Sequence, residues 1–251
     1  MDYTEINSKT IDEWVKEGWE WGTPITHEDF LNAKNGNWNM LLTPTKFVPK
    51  NWYPDLKGKH VLGLASWGGQ QIPIFAALGA VCTLMDYSQK QIDSDLLVSK
   101  RENYDINAVK ADMTKEFPFS NDSVDIIFHP VSNCYIENVM HVWKECHRVL
   151  KNGGILMSEL DNGFNYLFDE DEKEIKYKLP FNPLKDEYLL KKLMQNNDGI
   201  QFSHTAEEQI RGQLKAGFQL IDIYEDTNGY GLLHQYNIPT FWATLSKKVI
   251  N

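Results

Sequence analysis

Between His60 and Gln91 the chain sets one carboxylate, Asp86, at the end of an apolar run, and ahead of it a segment of mostly small residues, Ala65-Ser66-Trp67-Gly68-Gly69. That pairing suits a nucleoside. A carboxylate at a strand tip can accept hydrogen bonds from both hydroxyls of a ribose, and small residues let the backbone turn sharply and approach a ligand. Three further side chains are candidates to act on a reacting atom. His129 closes an apolar run and is either a strand-end histidine satisfied by its neighbours or a base. His204 stands just before a predicted helix N-terminus, which favours neutral imidazole; it is either a base or support for that helix end. Tyr135, like Tyr166 and Tyr230, either lines a substrate pocket or packs. No pair of His, Cys or carboxylate residues has zinc spacing, so no metal site is expected. A GxSxG elbow and a Walker A sequence are also missing.

The elements that position these groups alternate between strand and helix. Short apolar runs predict strands at His60–Leu64, Val81–Met85, Ala108–Lys110, Val124–His129 and Gly154–Glu159. Helical spacing predicts helices at Gln70–Leu78, Gln89–Asn103 and Ile136–Val149, the first with Ile74, Ala77 and Leu78 toward the sheet and Gly79 as its stop. Before this core a helix is expected over Ile11–Gly18, with Ser8 or Thr10 near its cap, and another over Glu28–Lys34 capped by Thr26. After it, helices are expected at Leu184–Gln195 and Thr205–Ala216, and strands at Phe218–Glu225 and Thr240–Ser246. The order strand, glycine turn, helix, strand, acid is the nucleoside-binding half of a doubly wound α/β fold.

These residues resemble a known family. HVLGLASWGGQQIPIFAALGAVCTLMDYSQKQ is similar to motifs I and II of the class I S-adenosylmethionine (SAM)-dependent methyltransferases. Val109-Lys110-Ala111-Asp112-Met113 is similar to the third-strand motif, Ser123 to Phe128 to the fourth strand, and Arg148 to Leu156 to the turn into the fifth. ASWGGQQ, FHPVSNCY and FSHTAEEQ resemble a bacterial subgroup of uncharacterised methyltransferases over most of the chain. The resemblance implies a Rossmann-like, mostly parallel seven-stranded sheet with an antiparallel last strand, SAM as cofactor and S-adenosylhomocysteine (SAH) as product. It implies cofactor contacts at Ala65, Ser66, Trp67, Gly68, Gly69, Gln70, Asp86, Tyr87, Ser88, Gln91, Ala111, Asp112, Met113, Pro130, Val131 and Ser132. Asp86 would hold the ribose, and Asp112 with Met113 the adenine. The chain departs from the family at Gly63, where an acid is common, and at Ala65 and Trp67, where glycine is usual. The expected outcome at Trp67 is an open turn with the ring swung aside.

Three zones follow: a helical lid segment (1–57), the SAM-binding core (58–160), and an insert over the strand ends with the final strands (161–251), together one compact domain. The lid segment holds five tryptophans, Trp14, Trp19, Trp21, Trp38 and Trp52, too much apolar surface to leave in water. The run Asp169 to Glu174 reads as solvated surface. A net charge of −10 and a pI of about 5.2 argue against a broad phosphate-binding face, so no nucleic-acid partner is expected. The polar start and the lack of a long apolar run give no membrane span or secretory signal, and Cys82, Cys134 and Cys146 lack metal spacing; a reduced cytoplasmic protein is expected. The leading function is methyl transfer from SAM to a small molecule. The alternatives are a nucleoside-binding protein of the same fold without turnover, and an NAD(P)-dependent oxidoreductase, for which ASWGGQQ lacks the GxGxxG spacing.

Overall fold

Apolar runs too short for helices form the middle layer of the molecule. In the computed structural model, which describes residues 2–249, they give β1 (His60–Leu64), β2 (Val81–Asp86), β3 (Ile106–Lys110), β4 (Val124–His129), β5 (Leu150–Asp161), β6 (Phe218–Asp226) and β7 (Phe241–Lys248). The sheet order is β3-β2-β1-β4-β5-β7-β6, and β7 runs antiparallel to both its neighbours. The helices are α1 (Tyr3–Lys16), α2 (His27–Lys34), α3 (Gln71–Ala77), α4 (Gln89–Glu102), α5 (Val139–Val149), α6 (Glu187–Asn196), α7 (Gly212–Ala216) and α8 (Gly231–Gln235). This is the doubly wound, Rossmann-like sheet the sequence implies. The strand order reverses between β1 and β4, and ligands of such sheets bind at the strand ends there.

Each face of the sheet buries its own cluster. Leu62, Leu64, Ile127 and Leu156 pack with Trp143 of α5 on one side. On the other, Val61, Phe128 and Met157 pack with Phe75 of α3 and with Met40, Leu42, Val48 and Trp52 from the N-terminal segment.

Several boundaries differ from expectation for local reasons. The first helix starts at Tyr3, where Asp2 caps it by accepting from Thr4 N at 3.0 Å. Ser8 and Thr10 lie inside it and bond outward, to Tyr87 O (2.8 Å) and Asn197 Oδ1 (2.9 Å). Ile72 and Phe75 form the buried face of α3; Ile74, Ala77 and Leu78 are only half-buried. α5 begins at Val139, because Asn133–Tyr135 forms a separate 3₁₀ turn and Ile136 is extended. α6 begins after Asp186, whose carboxylate accepts from Leu189 N at 3.0 Å. Thr205 does cap the next helical run, with Glu208 bonding back to it, but that run opens with a wide π turn over Glu207–Arg211. Gly217, at φ +105°, ends it.

Candidate active site

The turn after β1 keeps a glycine-like path without glycine. Ala65 (φ +47°), Trp67 (φ +48°) and Gly69 (φ +73°) are all left-handed. Two of the three therefore carry a side chain where L residues are disfavoured, by roughly 1–2 kcal/mol each. Gly63 is confined: a Cβ there would lie 2.3 Å from Ser66 Oγ and 2.6 Å from Ile72 Cδ1. The acid common in related sequences has no space in this packing. Gly68 donates its N–H to Gln91 Oε1 at 2.6 Å, which ties the turn to the first turn of α4.

The ring of Trp67 is not swung aside. It is 4% exposed, packs against Trp21 with centroids 4.2 Å apart and planes tilted by 33°, and points its indole N–H at Val131 O (3.4 Å). The contact is held because residues 20–23 are docked on the turn. Gln70 Nε2 donates to Glu20 O (2.6 Å) and Thr23 O (3.0 Å), and Ser94 Oγ donates to Gly22 O (2.9 Å).

Asp86 stands at the tip of β2, 6% exposed, and accepts from Ser88 N at 2.7 Å. Burial pushes its carboxyl up to about 7, against the pull of the Ser88 and Tyr87 N–H groups. Next to it the buried Tyr87 hydroxyl has no hydrogen-bond partner. α1 lies over this corner. Ser8 bonds Tyr87 O, and Asp12 Oδ1 accepts from Ser88 Oγ (2.7 Å) and Lys90 N (2.9 Å).

Three cavities meet here. A volume of about 10 Å³ is bounded by Asp86, Tyr87, Ala111, Asp112 and Met113, with Thr4 of α1 as its roof. A second, of about 30 Å³, lies between Asp86, Gln91, Trp67, Val131 and Ser132. An outer one of about 320 Å³ opens beyond Trp67. Ala65 borders the first two, and Tyr135 borders all three. Tyr166 and Tyr230 line the outer cavity, and the Tyr166 hydroxyl donates to Gln201 Oε1 at 2.7 Å.

The remaining sequence candidates stand behind these walls. Ser66 is fully buried with an unpartnered hydroxyl, Ser88 caps α4, and Gln70 faces the N-terminal segment. Gly68 and Gly69 back onto Gln91 and Pro24, and Pro130 serves as an acceptor for Ser132 Oγ. His129 is fully buried, its Nδ1 2.8 Å from Leu64 O and its Nε2 2.8 Å from Asn133 Oδ1; burial pulls its basicity down. His204 is 4% exposed, its Nε2 3.2 Å from Asn133 O, and is also shifted down by burial. Neither imidazole borders the three cavities. Thr4, Ile11 and Trp19 do, and sequence reasoning named none of them as site residues. The indole excess of the first zone was the signal for Trp19; Thr4 had none. Among the described residues no group of His, Cys, Asp and Glu could hold a metal ion.

A family model described as "Methyltransferase domain" matches residues 62–158. The "Uncharacterized methyltransferase YbaJ" of Bacillus subtilis (strain 168) is 43% identical over 250 residues, 97% of each chain. The chain belongs to the class I SAM-dependent methyltransferases. Its fold is shared with a SAM-dependent methyltransferase from Mesorhizobium loti, at TM-score 0.59 and 16% identity over 79% of this chain and 94% of that one. It is also shared with the [4+2]-cyclase SpnF, at TM-score 0.54 and 15% identity over 78% and 76%. These two likenesses concern the fold alone. A cyclase among them means that the reaction of this methyltransferase family member has to be argued from its own site.

Proposed function

We propose that the protein binds SAM and transfers its methyl group to a small-molecule acceptor, releasing SAH. The observation that carries this is the corner at the strand ends where Asp86 and Tyr87, whose buried hydroxyl has no partner, border one cleft together with Asp112 and Met113. Asp86 accepts from the ribose hydroxyls, Asp112 from the adenine amine, and Met113 packs on the ring. The 65–69 turn and Val131-Ser132 enclose the methionine end. Tyr135, Trp67 and Trp19 separate that end from the outer cavity, where the acceptor sits.

SAM supplies a methyl already activated by the sulfonium charge, so the protein's work is alignment and exclusion of water. Tyr135 and Trp67 do both: their rings direct the approach and keep it dry. The cavities beside Asp86 have room for a water or two, not for a nucleoside. α1 and Tyr135 therefore withdraw to admit the cofactor and return over it, with residues 1–57 as the lid and the stretch from Asp161 to His204 as the acceptor-side cover. A cytoplasmic setting suits these ligands, and among the described residues no helix is long and apolar enough to cross a membrane.

Calorimetric titration with SAH, SAM and NAD tests the reading. SAH and SAM should bind and NAD should not, and Asp86→Ala should weaken SAH at least about tenfold, in line with a lost charged hydrogen bond of about 1.5–3 kcal/mol. NAD binding, or unchanged SAH affinity in the variant, refutes it. Trp67 lying across the cleft favours a second reading, SAM or nucleoside binding without turnover. A Trp67→Gly variant binding SAH far more than about tenfold tighter than the parent would support that one.

A further inference from the structure

The outer cavity has a chemical bias that the cofactor does not explain. Its lining includes no lysine, arginine or histidine. Aromatic side chains make up much of its lining: Trp19, Trp21, Trp67, Tyr135, Tyr166 and Phe241. Glu20 stands at its exposed rim. Two more carboxyls lie behind the wall at the end of β5: Asp161, 2% exposed, and Glu159, 1% exposed. Asp161 accepts from the side-chain amide of Asn165, a lining residue, at 3.2 Å, and Gly163 N at 2.6 Å. Glu159 has a buried oxygen with no partner, and both acids act on the thiol of Cys134, another lining residue, driving it up together with burial.

An anionic acceptor would find no counter-charge in this cavity, the Glu20 carboxylate at its rim, and behind its wall Asp161, which burial pushes up to about 7; burial holds Glu159 toward its neutral form. A cation would find π faces and carboxyl groups, the two environments that stabilise a positive nitrogen in a desolvated pocket. We propose that the cavity binds an amine and that its nitrogen is the methyl acceptor; the inference rests on the methyl-transfer reading above. The chemistry balances. The amine enters neutral, having left its proton with solvent. Its lone pair forms the new N–C bond as the C–S bond breaks, and that electron pair stays on sulfur, leaving a neutral thioether. Positive charge thus passes from sulfur to nitrogen, and the product is an N-methylammonium that releases a proton to solvent. The aromatic lining and the nearby carboxyl groups stabilise the charge where it arrives, so they favour the transition state over the bound neutral amine.

The test uses the full chain saturated with SAH and three probes of similar shape at about pH 7.5: 2-phenylethylamine (cationic), 2-phenylethanol (neutral) and phenylacetate (anionic). Calorimetry should show the amine binding at least about tenfold tighter than the alcohol and phenylacetate weakest. Glu20→Gln and Asp161→Asn should each reduce the amine's advantage while leaving the alcohol's affinity in place. Equal affinities, tighter phenylacetate, no binding of any probe, or an advantage untouched by both variants overturns the proposal. Failure of the parent to bind SAH at the outset would instead refute the cofactor reading, so the two failures are distinct.

Discussion

Asp86 is held largely out of solvent, and that has a thermodynamic sign. Its folded value of about 7 lies above the ordinary carboxylate value of 3.8. Between those two pH values the folded state binds more protons than the unfolded one, so this group's contribution to stability falls as pH rises and stays low above about 7. Asp86→Asn removes that penalty. The ligand-free variant should melt higher than the parent near pH 8, by at most about 4 kcal/mol at 1.36 kcal/mol per pKa unit, and match it near pH 4. Cofactor affinity should move the opposite way: SAH should bind the parent more weakly below about pH 7, as the acceptor becomes protonated, and the Asn variant should lose that slope. Melting curves and titrations at both pH values check the pair. Ala65 gives a second prediction. At φ +47° it is a residue for which glycine is the better fit, so Ala65→Gly should be neutral or stabilising by about 0–1 kcal/mol, readable in chemical denaturation. Asp86 and the turn were legible in sequence because position along a strand–turn–helix unit is a chain-local property. The orientation of Trp67 was not, since it depends on Trp21, a residue from a different zone of the chain.

Among the elements, α1 is the one whose role rests on tertiary bonds. Its outward polar groups, Ser8 and Asp12, hold it to the β2–α4 turn, while Asn7 exchanges two hydrogen bonds with Ile200 (2.8 and 2.7 Å) and Trp14 Nε1 donates to Asn197 O (3.0 Å). α1 thereby joins the Asp86 corner to the segment after α6. Asp12→Ala removes the acceptor for Ser88 Oγ and Lys90 N, so α1 should release more easily. Stopped-flow tryptophan fluorescence should show SAH associating several-fold faster with the variant; an unchanged association rate would mean that α1 does not gate the site. The central strands β1 and β4 could be read from sequence because burial on both faces leaves continuous apolar runs. α1 was misplaced because its Ser8 and Thr10 look like capping residues until their partners, far along the chain, are known. Outside α6, which the sequence predicts, the 161–204 stretch was unreadable for the same reason: its order comes from contacts such as Phe181 N to Ser203 Oγ (2.7 Å), not from periodicity.

At the scale of the whole molecule the N-terminal segment is core as well as cover. Met40, Leu42, Val48 and Trp52 are at most 3% exposed within the cluster on one sheet face. A chain beginning at Pro49 should therefore fail to fold, and the intact protein should unfold in one calorimetric transition; Leu42→Ala should cost about 2–5 kcal/mol. A soluble, cooperatively folding truncation would separate lid from core. The cavity of about 30 Å³ beside Asp86 and the outer cavity also share one partition, made by Trp19, Trp67, Val131 and Tyr135. A ligand on either side fixes rotamers that the other side must use, so the two occupancies carry a mutual coupling free energy. Linkage makes that coupling reciprocal: whatever factor SAH adds to an acceptor's affinity, the acceptor must add to the affinity for SAH, and the partition can be measured from either face.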